Sequence, residues 1–291
     1  MPLLMFNKYF KRIYLEYYYK SFNLLLKMQQ IFRYPGGKAR AIKFIKPFWE
    51  NLSHTEYREP FVGGGSVFIA KNNVKRTWIN DLDKDLISFF KVIKNCEQRE
   101  FLIKELLKIK VNRDSYDYFY KSKPIGQIDK AIRFYFLNRC SFSGITKWNA
   151  FIGDSRWNIN RNQDNIRKIG EKLRPCKITS IDFEKVIAEK SKNSVFLFLD
   201  PPYAESRQVA AYNKAFSIED HERLAIMLKK TNFKFLLTYD NCKYIRDLYK
   251  EFNLFDRSWT YSVANSRVHH NPREAGNELF ITNYDPIFVT K

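Results

Sequence analysis

The stretch Val195-Phe196-Leu197-Phe198-Leu199-Asp200-Pro201-Pro202-Tyr203 decides the fold. Its first five residues form an uninterrupted apolar run bounded by polar residues, the pattern of a strand buried on both faces of a parallel sheet. The run stops abruptly, because Pro201 and Pro202 remove two backbone donors, fix φ and restrain the residue before each of them. The strand therefore gives way to a rigid shelf with free carbonyls, the Asp200 carboxylate at one end and the Tyr203 phenol at the other. In open α/β sheets, ligands sit at such strand ends. Alone, the tetrapeptide is also readable as a Pro-rich turn carrying an exposed acid.

Outward from this stretch the same rhythm recurs. Tyr57 to Val62 reads as a strand, Gly63-Gly64-Gly65-Ser66 as a tight turn, and Val67-Phe68 as an apolar helix start. Strand, glycine turn and helix open a nucleotide-binding unit, although the spacing is not GxGxxG. A second strand, Arg76 to Ile79, ends at Asn80-Asp81. Asp81 is placed there either to accept hydrogen bonds from ribose hydroxyls or to cap a helix starting near Asp83. The run Cys176 to Ile181 ends in Asp182-Phe183. Beyond the central strand come a helix over 218–230, a strand over 233–238, a helix from Asn241, and strands over 259–263 and 278–282. If the acid-terminated strands are parallel, Asp81, Asp182 and Asp200 line one crevice beside the glycine turn. Upstream, Arg33-Tyr34-Pro35-Gly36-Gly37-Lys38 resembles the start of a phosphate loop, but Ala39 stands where such a loop needs Ser or Thr.

Composition narrows the partner. The chain of 291 residues has 51 basic and 31 acidic side chains, a net charge of +20, which implies a polyanion and most commonly nucleic acid. Between Leu86 and Ser180 stand 20 Lys and Arg against 9 Asp and Glu, so more than half of the excess lies in a third of the chain. There the strand rhythm gives way to aromatic, basic helical stretches and an expected hairpin over 145–160. Lys147, Asn149, Arg156, Asn160 and Arg161 stand beside Trp148 and Trp157, a composition suited to groove reading and phosphate contact. A solvated basic loop over two core tryptophans is the competing reading. Cys96, Cys140, Cys176 and Cys242 form no CxxC pair and fit reduced thiols in a cytosolic protein. No histidine has a ligand-spaced Cys or acidic partner, so no metal site is expected. No apolar run approaches the roughly 20 residues of a membrane helix. Residues 1–27 interleave aromatic and basic residues without the form of a secretory signal, and Met28 is expected to be the natural start or the leader a dispensable arm.

A crevice of carboxylates repels phosphates and suits a nucleoside whose hydroxyl and amino groups donate hydrogen bonds and whose reactive end is cationic. With Arg33 to Lys38, Glu59 to Ser66, Asp81 and the Asp-Pro-Pro-Tyr tetrapeptide in this order, residues 31–284 resemble the Dam-type (alpha-group) N6-adenine DNA methyltransferases. Tyr34 departs from the Trp common there, and the insertion does not closely match the hairpin of GATC-specific members, so no recognition sequence carries over.

The resemblance implies an α/β fold: a Rossmann-like methyltransferase sheet, mostly parallel with an antiparallel C-terminal strand, plus an inserted, mainly helical target-recognition domain with a β-hairpin. Residues 28–85 and 176–291 would form the catalytic domain and 86–175 the insertion. The implied cofactor is S-adenosylmethionine, bordered by Tyr34, Lys38, Phe61, Gly63, Gly65 and Ser66, with Asp81 on its ribose and Asp182 with Phe183 on its adenine. Asp200, Pro201, Pro202 and Tyr203 would be catalytic, acting on a flipped adenine of double-stranded DNA. A monomer inside the cell is expected, with a cognate restriction endonuclease as a possible functional partner without a stable complex. An RNA-directed methyltransferase and a nucleic-acid-binding module with an inactive cofactor site remain as alternatives.

Overall fold

A computed structural model describes residues 31–34, 36–147, 149–204, 216–260 and 275–288. The leader, Met28, Trp148 and the turn holding His269 and His270 lie outside the described residues. Seven strands form one sheet: β1 (Glu56–Glu59), β2 (Arg76–Asn80), β3 (Lys177–Thr179), β4 (Val195–Leu199), β5 (Lys234–Asp240), β6 (Asn253–Thr260) and β7 (Ala275–Thr282), in the order β3-β2-β1-β4-β5-β7-β6. β1 to β5 run parallel to one another, and β7 pairs antiparallel with both β5 and β6. β4 lies at the centre, and all five of its residues are buried.

Strand periodicity divides β4 between two cores. Val195, Leu197 and Leu199 join a cluster with Leu224, Phe235 and Leu237, while Phe196 and Phe198 face Ile45, Phe48, Tyr57 and Phe280. Two faces, each with its own apolar layer, are why the run is continuous rather than alternating. The C-terminal edge extends further than expected: β6 begins at Asn253 and pairs with β7 from Asn253↔Thr282 to Thr260↔Ala275. As an edge strand it carries Asn253, Asp256 and Arg257 among its apolar residues, which hides its start in the hydrophobic pattern.

Helices α1 (Ile42–Ile45) and α2 (Ser66–Ala70) come first, and the stretch between β2 and β3 holds α3 (Lys84–Lys94), α4 (Cys96–Lys108), α5 (Arg113–Lys121), α6 (Gln127–Cys140) and α7 (Ile159–Leu173). Its apolar faces share one core with the sheet side of the molecule: Leu86, Phe90, Phe134 and Ile166 cluster with Phe32, Val62, Phe68 and Ile79. The hairpin anticipated over 145–160 contracts to one antiparallel bridge, Ser141↔Phe151, supported by Phe142 N–H to the Ala150 carbonyl and Ile152 N–H to the Cys140 carbonyl, both at 2.9 Å. Beyond this bridge the described residues of the segment form no ladder; local turns and side chains meet its backbone. Tyr120 donates to the Lys147 carbonyl (2.9 Å), and Asn158 accepts the Arg161 N–H (3.3 Å) and so starts α7. Helices α8 (Phe183–Ala188), α9 (Ile218–Lys230) and α10 (Lys243–Leu248) complete the fold. Among the described residues no helix is long and apolar enough to cross a membrane.

Candidate functional site

Parallel strands put their carboxyl ends on one edge, and there a cleft of about 1030 Å³ opens. Asp81 follows β2, Asp182 lies just past β3, Asp200 follows β4, and the glycine turn follows β1. Of the residues singled out in the sequence, Tyr34, Lys38, Phe61, Gly63, Ser66, Asp81, Asp182, Phe183 and Asp200 to Tyr203 all line this cleft. Gly65 does not. Its left-handed φ of 73° instead turns the chain into α2, and an added Cβ would meet the Phe90 ring at 3.4 Å.

At one end of the cleft stands Asp200. Its Oδ1 receives the Lys38 ammonium at 2.8 Å and the Thr238 hydroxyl at 2.7 Å. Lys38 is only 4% exposed, donates to the Gly36 carbonyl at 3.0 Å, and lies 4.8 Å over the Tyr203 ring. Burial alone would lower the Lys38 pKa, but Asp200 and then Glu278 outweigh it and hold the ammonium above its ordinary value. Beneath them the buried Glu59 accepts the Tyr57 hydroxyl at 2.6 Å. Loss of solvent pushes Glu59 well above the usual carboxylate range despite that bond, and the Asp200 and Asp81 charges add to the effect.

Sequence reading missed three residues here. Asp240 ends β5 and accepts the Ala204 N–H at 3.1 Å, so the strand-end rule that picked out Asp200 also applies to it. Thr238 and Glu278 carried no comparable signal, because each sits inside a strand: Thr238 meets Asp200 through the pairing of β5 with β4, and Glu278 reaches the cleft through the pairing of β7 with β5.

The other end is built on Asp81. Its Oδ2 accepts the Gly63 N–H and its Oδ1 the Asp83 N–H, each at 2.9 Å, so it ties the glycine turn to the second strand. Burial raises its pKa against these bonds. Helix capping falls to Asp83, which accepts the Asp85 and Leu86 N–H groups. Gly63 has φ 46°, and a Cβ there would meet the Tyr34 ring at 3.0 Å, so the ring and the turn are in close contact. Asp182 caps α8 through the Glu184 N–H (2.9 Å). Phe183 forms an aromatic corner with Phe61 and Phe216, ring centroids 5.5 and 5.7 Å away. Acceptors at Asp81 and Asp182, an aromatic corner and the Asp200 carboxylate beyond them suit a nucleoside bearing a positive charge.

Lys147, Asn149, Arg156, Asn160 and Arg161 lie away from this cleft, on the segment between α6 and the first turn of α7. Lys147, Asn149, Asn160 and Arg161 are exposed, and Arg156 is half-buried with its carbonyl accepting the Arg139 guanidinium at 2.9 Å. Arg113 of α5, missed in the sequence, donates to Asn149 Oδ1 at 3.0 Å. This segment meets the cleft through buried Asn138, which accepts the Arg33 N–H (3.1 Å) and donates to the carbonyls of Arg33 (2.8 Å) and Gly144 (3.0 Å).

Comparison with known proteins bears on the chemistry. The family model for D12 class N6 adenine-specific DNA methyltransferases matches residues 34–263. Type II methyltransferase M.CviBI of Paramecium bursaria Chlorella virus NC1A is 26% identical over 250 residues, covering 83% of this chain and 95% of the relative. Type II methyltransferase M.MjaIII of Methanocaldococcus jannaschii is 26% identical over 268 residues, covering 79% of this chain and 90% of the relative. The DNA adenine methylase of Haemophilus influenzae is 24% identical over 245 residues, covering 77% of this chain and 84% of the relative.

Proposed function

Because the chain belongs to the D12 class of N6 adenine-specific DNA methyltransferases, we propose that the strand-end cleft is where it methylates adenine, with Asp200 at the target-base end and Asp81 at the cofactor end. The observation that carries this reading is the Asp200 carboxylate, anchored through one oxygen by Lys38 and Thr238 at the start of a proline shelf. Anchoring Oδ1 leaves Oδ2 for a ligand.

Adenine N6 is a poor nucleophile, since its lone pair is delocalised into the ring. Asp200 Oδ2 and the Pro201 carbonyl each accept an N6–H bond, which enriches N6 in electron density and aims its lone pair. Pro202 keeps the shelf rigid. When bound, S-adenosylmethionine supplies an activated sulfonium methyl as the electrophile. Asp200 and the Pro201 carbonyl would hold N6 for direct methyl transfer, the S–C bond breaking as the N–C bond forms and one N6 proton leaving to solvent, with no covalent enzyme intermediate. The target base reaches this end by flipping from the duplex, and Tyr203 gives it an aromatic surface.

Asp81 would accept the ribose hydroxyls, Asp182 with Phe183 and Phe61 would hold the cofactor adenine, and Tyr34, Lys38, Gly63 and Ser66 would border the methionine portion. The acceptor-rich lining fits such a ligand, and the tight Tyr34–Gly63 contact sets the floor beneath it. Residues 86–175 act as the target-recognition part, with Lys147, Asn149, Arg156, Asn160 and Arg161 toward the duplex, while 28–85 and 176–291 form the catalytic part. The protein works as a monomer inside the cell. Its methylation marks DNA as self, on its own or beside a restriction endonuclease that forms no stable complex with it.

The test is incubation of the purified chain with S-adenosylmethionine and duplex DNA, followed by nucleoside mass analysis and methylation-sensitive long-read sequencing. N6-methyladenine at a defined motif is the expected result. Methyl transfer confined to RNA, or no transfer with intact DNA binding, sinks the reading.

A further inference from the structure

We infer that Arg223, on α9, is a positioning residue for the cofactor end of the cleft, an assignment that rests on the cleft being the methyltransferase site. One guanidinium there spans three carboxylates from two helices: Nε to Glu184 Oε1 at 2.8 Å, Nη1 to Asp220 Oδ1 at 2.6 Å, and Nη2 to both oxygens of Asp182 at 3.1 and 3.2 Å. The same group lies 5.0 Å over the Phe183 ring. Arg223 therefore grips the polar and the aromatic member of the Asp182-Phe183 pair at once. Its planar fork matches carboxylate geometry in a way a lysine cannot reproduce.

The charge arithmetic gives this grip a purpose. Asp182 and Glu184 on one helix and Asp220 on the other are like charges gathered at the cleft wall, and Arg223 is the cation that all three share. Without it, mutual repulsion would swing Asp182 off its bearing beside Phe183. With it, Asp182 spends one lone pair of each oxygen on Arg223 and another of Oδ1 on the Glu184 N–H. A carboxylate has about four acceptor sites, so Oδ2 keeps capacity for an amino donor in the cleft. Arg223 is 39% exposed, and ion pairs of such exposure contribute little to stability, so orientation rather than folding is its function.

The experiment is calorimetric titration of S-adenosylmethionine into the full chain, with steady-state kinetics on duplex DNA, for wild type, Arg223→Gln, Arg223→Lys and Glu184→Gln. Arg223→Gln is expected to raise the Kd and KM for S-adenosylmethionine about tenfold, with kcat within about twofold and the KM for duplex unchanged. Arg223→Lys, which keeps the charge and loses the fork, falls between it and wild type. Glu184→Gln, which loosens one arm of the fork and leaves Arg223 on Asp182 and Phe183, is expected to raise the Kd by less than Arg223→Gln does. Wild-type cofactor affinity in Arg223→Gln, or a fall in kcat at unchanged KM, overturns the assignment. So does loss of the folded melting transition in both Arg223 variants. Wild-type protein that fails to bind S-adenosylmethionine sinks the site reading itself, whereas tight wild-type binding with an indifferent Arg223→Gln sinks only this inference.

Discussion

Lys38 Nζ lies 2.8 Å from Asp200 Oδ1, joining the first glycine-bearing motif of the chain to the end of its central strand. Neither residue has its meaning alone. Lys38 tolerates burial because Asp200 and Glu278 offset the loss of solvent, and Asp200 presents a single free oxygen because Lys38 and Thr238 occupy the other. The ion pair is thus a geometric device that aims a carboxylate. Its contribution to stability is secondary, since a buried pair gains little over an apolar isostere.

Asp200→Asn separates aiming from accepting. Its amide oxygen can keep the Lys38 and Thr238 bonds, while the second acceptor becomes a donor that faces another donor at adenine N6. Methyl transfer should fall by on the order of 100-fold or more, with duplex affinity nearly unchanged. Kinetics and an electrophoretic shift with the same duplex check both halves, and retained turnover refutes the assigned role.

Gly63→Ala tests the contact between the glycine turn and Tyr34. The substitution places a Cβ 3.0 Å from the Tyr34 ring at a φ of 46°, so it should cost about 1 to 2 kcal/mol and raise the KM for S-adenosylmethionine more than it lowers kcat. Gly153→Ala is the internal comparison. Its φ of 83° carries a similar backbone cost, but nothing lies within 4 Å of the added Cβ, so the kinetics should not change. Equal kinetic effects from the two variants would remove the special standing of the Tyr34 contact.

How much of the fold and the site was legible in the sequence depends on how each residue reaches its place. Asp81, Asp182 and Asp200 announce themselves because each stands at or just beyond the end of an apolar or β-branched run, and parallel pairing turns that local fact into a shared edge. Asp240 was open to the same rule. Glu278, Thr238 and Arg223 were not, because their partners are distant in sequence and their own neighbourhoods look like ordinary strand or helix. The 145–160 segment misled for a related reason. Its turn-rich, aromatic pattern suits a hairpin, but Arg113, Tyr120 and Arg139 satisfy its backbone and side chains from neighbouring helices, which no local pattern reveals.

Asp83 predicts a pH dependence of stability. Loss of solvent, then the Asp81 charge, push it up to about 7, against the pull of the Leu86 N–H bond. Its folded pKa thus lies above the unfolded value, so the stability tied to its protonated form is complete below the ordinary aspartate range and is lost as pH rises toward and through about 7. Asp83→Asn can still cap α3 and never acquires the charge. The variant should exceed wild type in stability by at least about 1 kcal/mol at pH 8, a gap that closes as pH falls to 4. Denaturant titrations across this range decide it, and a gap independent of pH would exclude Asp83 as its source.

Arg161 and Asn149 should separate affinity from specificity. Arg161 is exposed at the first turn of α7, free to meet a phosphate, so Arg161→Ala should weaken all duplexes alike and reduce the salt slope of binding by about one. Asn149 is different, since its Oδ1 is already held by Arg113, which leaves the amide N–H groups for a base edge. Asn149→Ala should lose about 1 to 3 kcal/mol of discrimination at one position of the site and little affinity for unrelated sequence. Arg113→Ala, by releasing the same amide, should relax the same position, and the double variant should show less than the sum of the two because they act through one group. Binding measured over a set of single-base variants of the methylated motif tests this. Additive losses, or losses at different positions, would mean that Arg113 and Asn149 read the duplex independently.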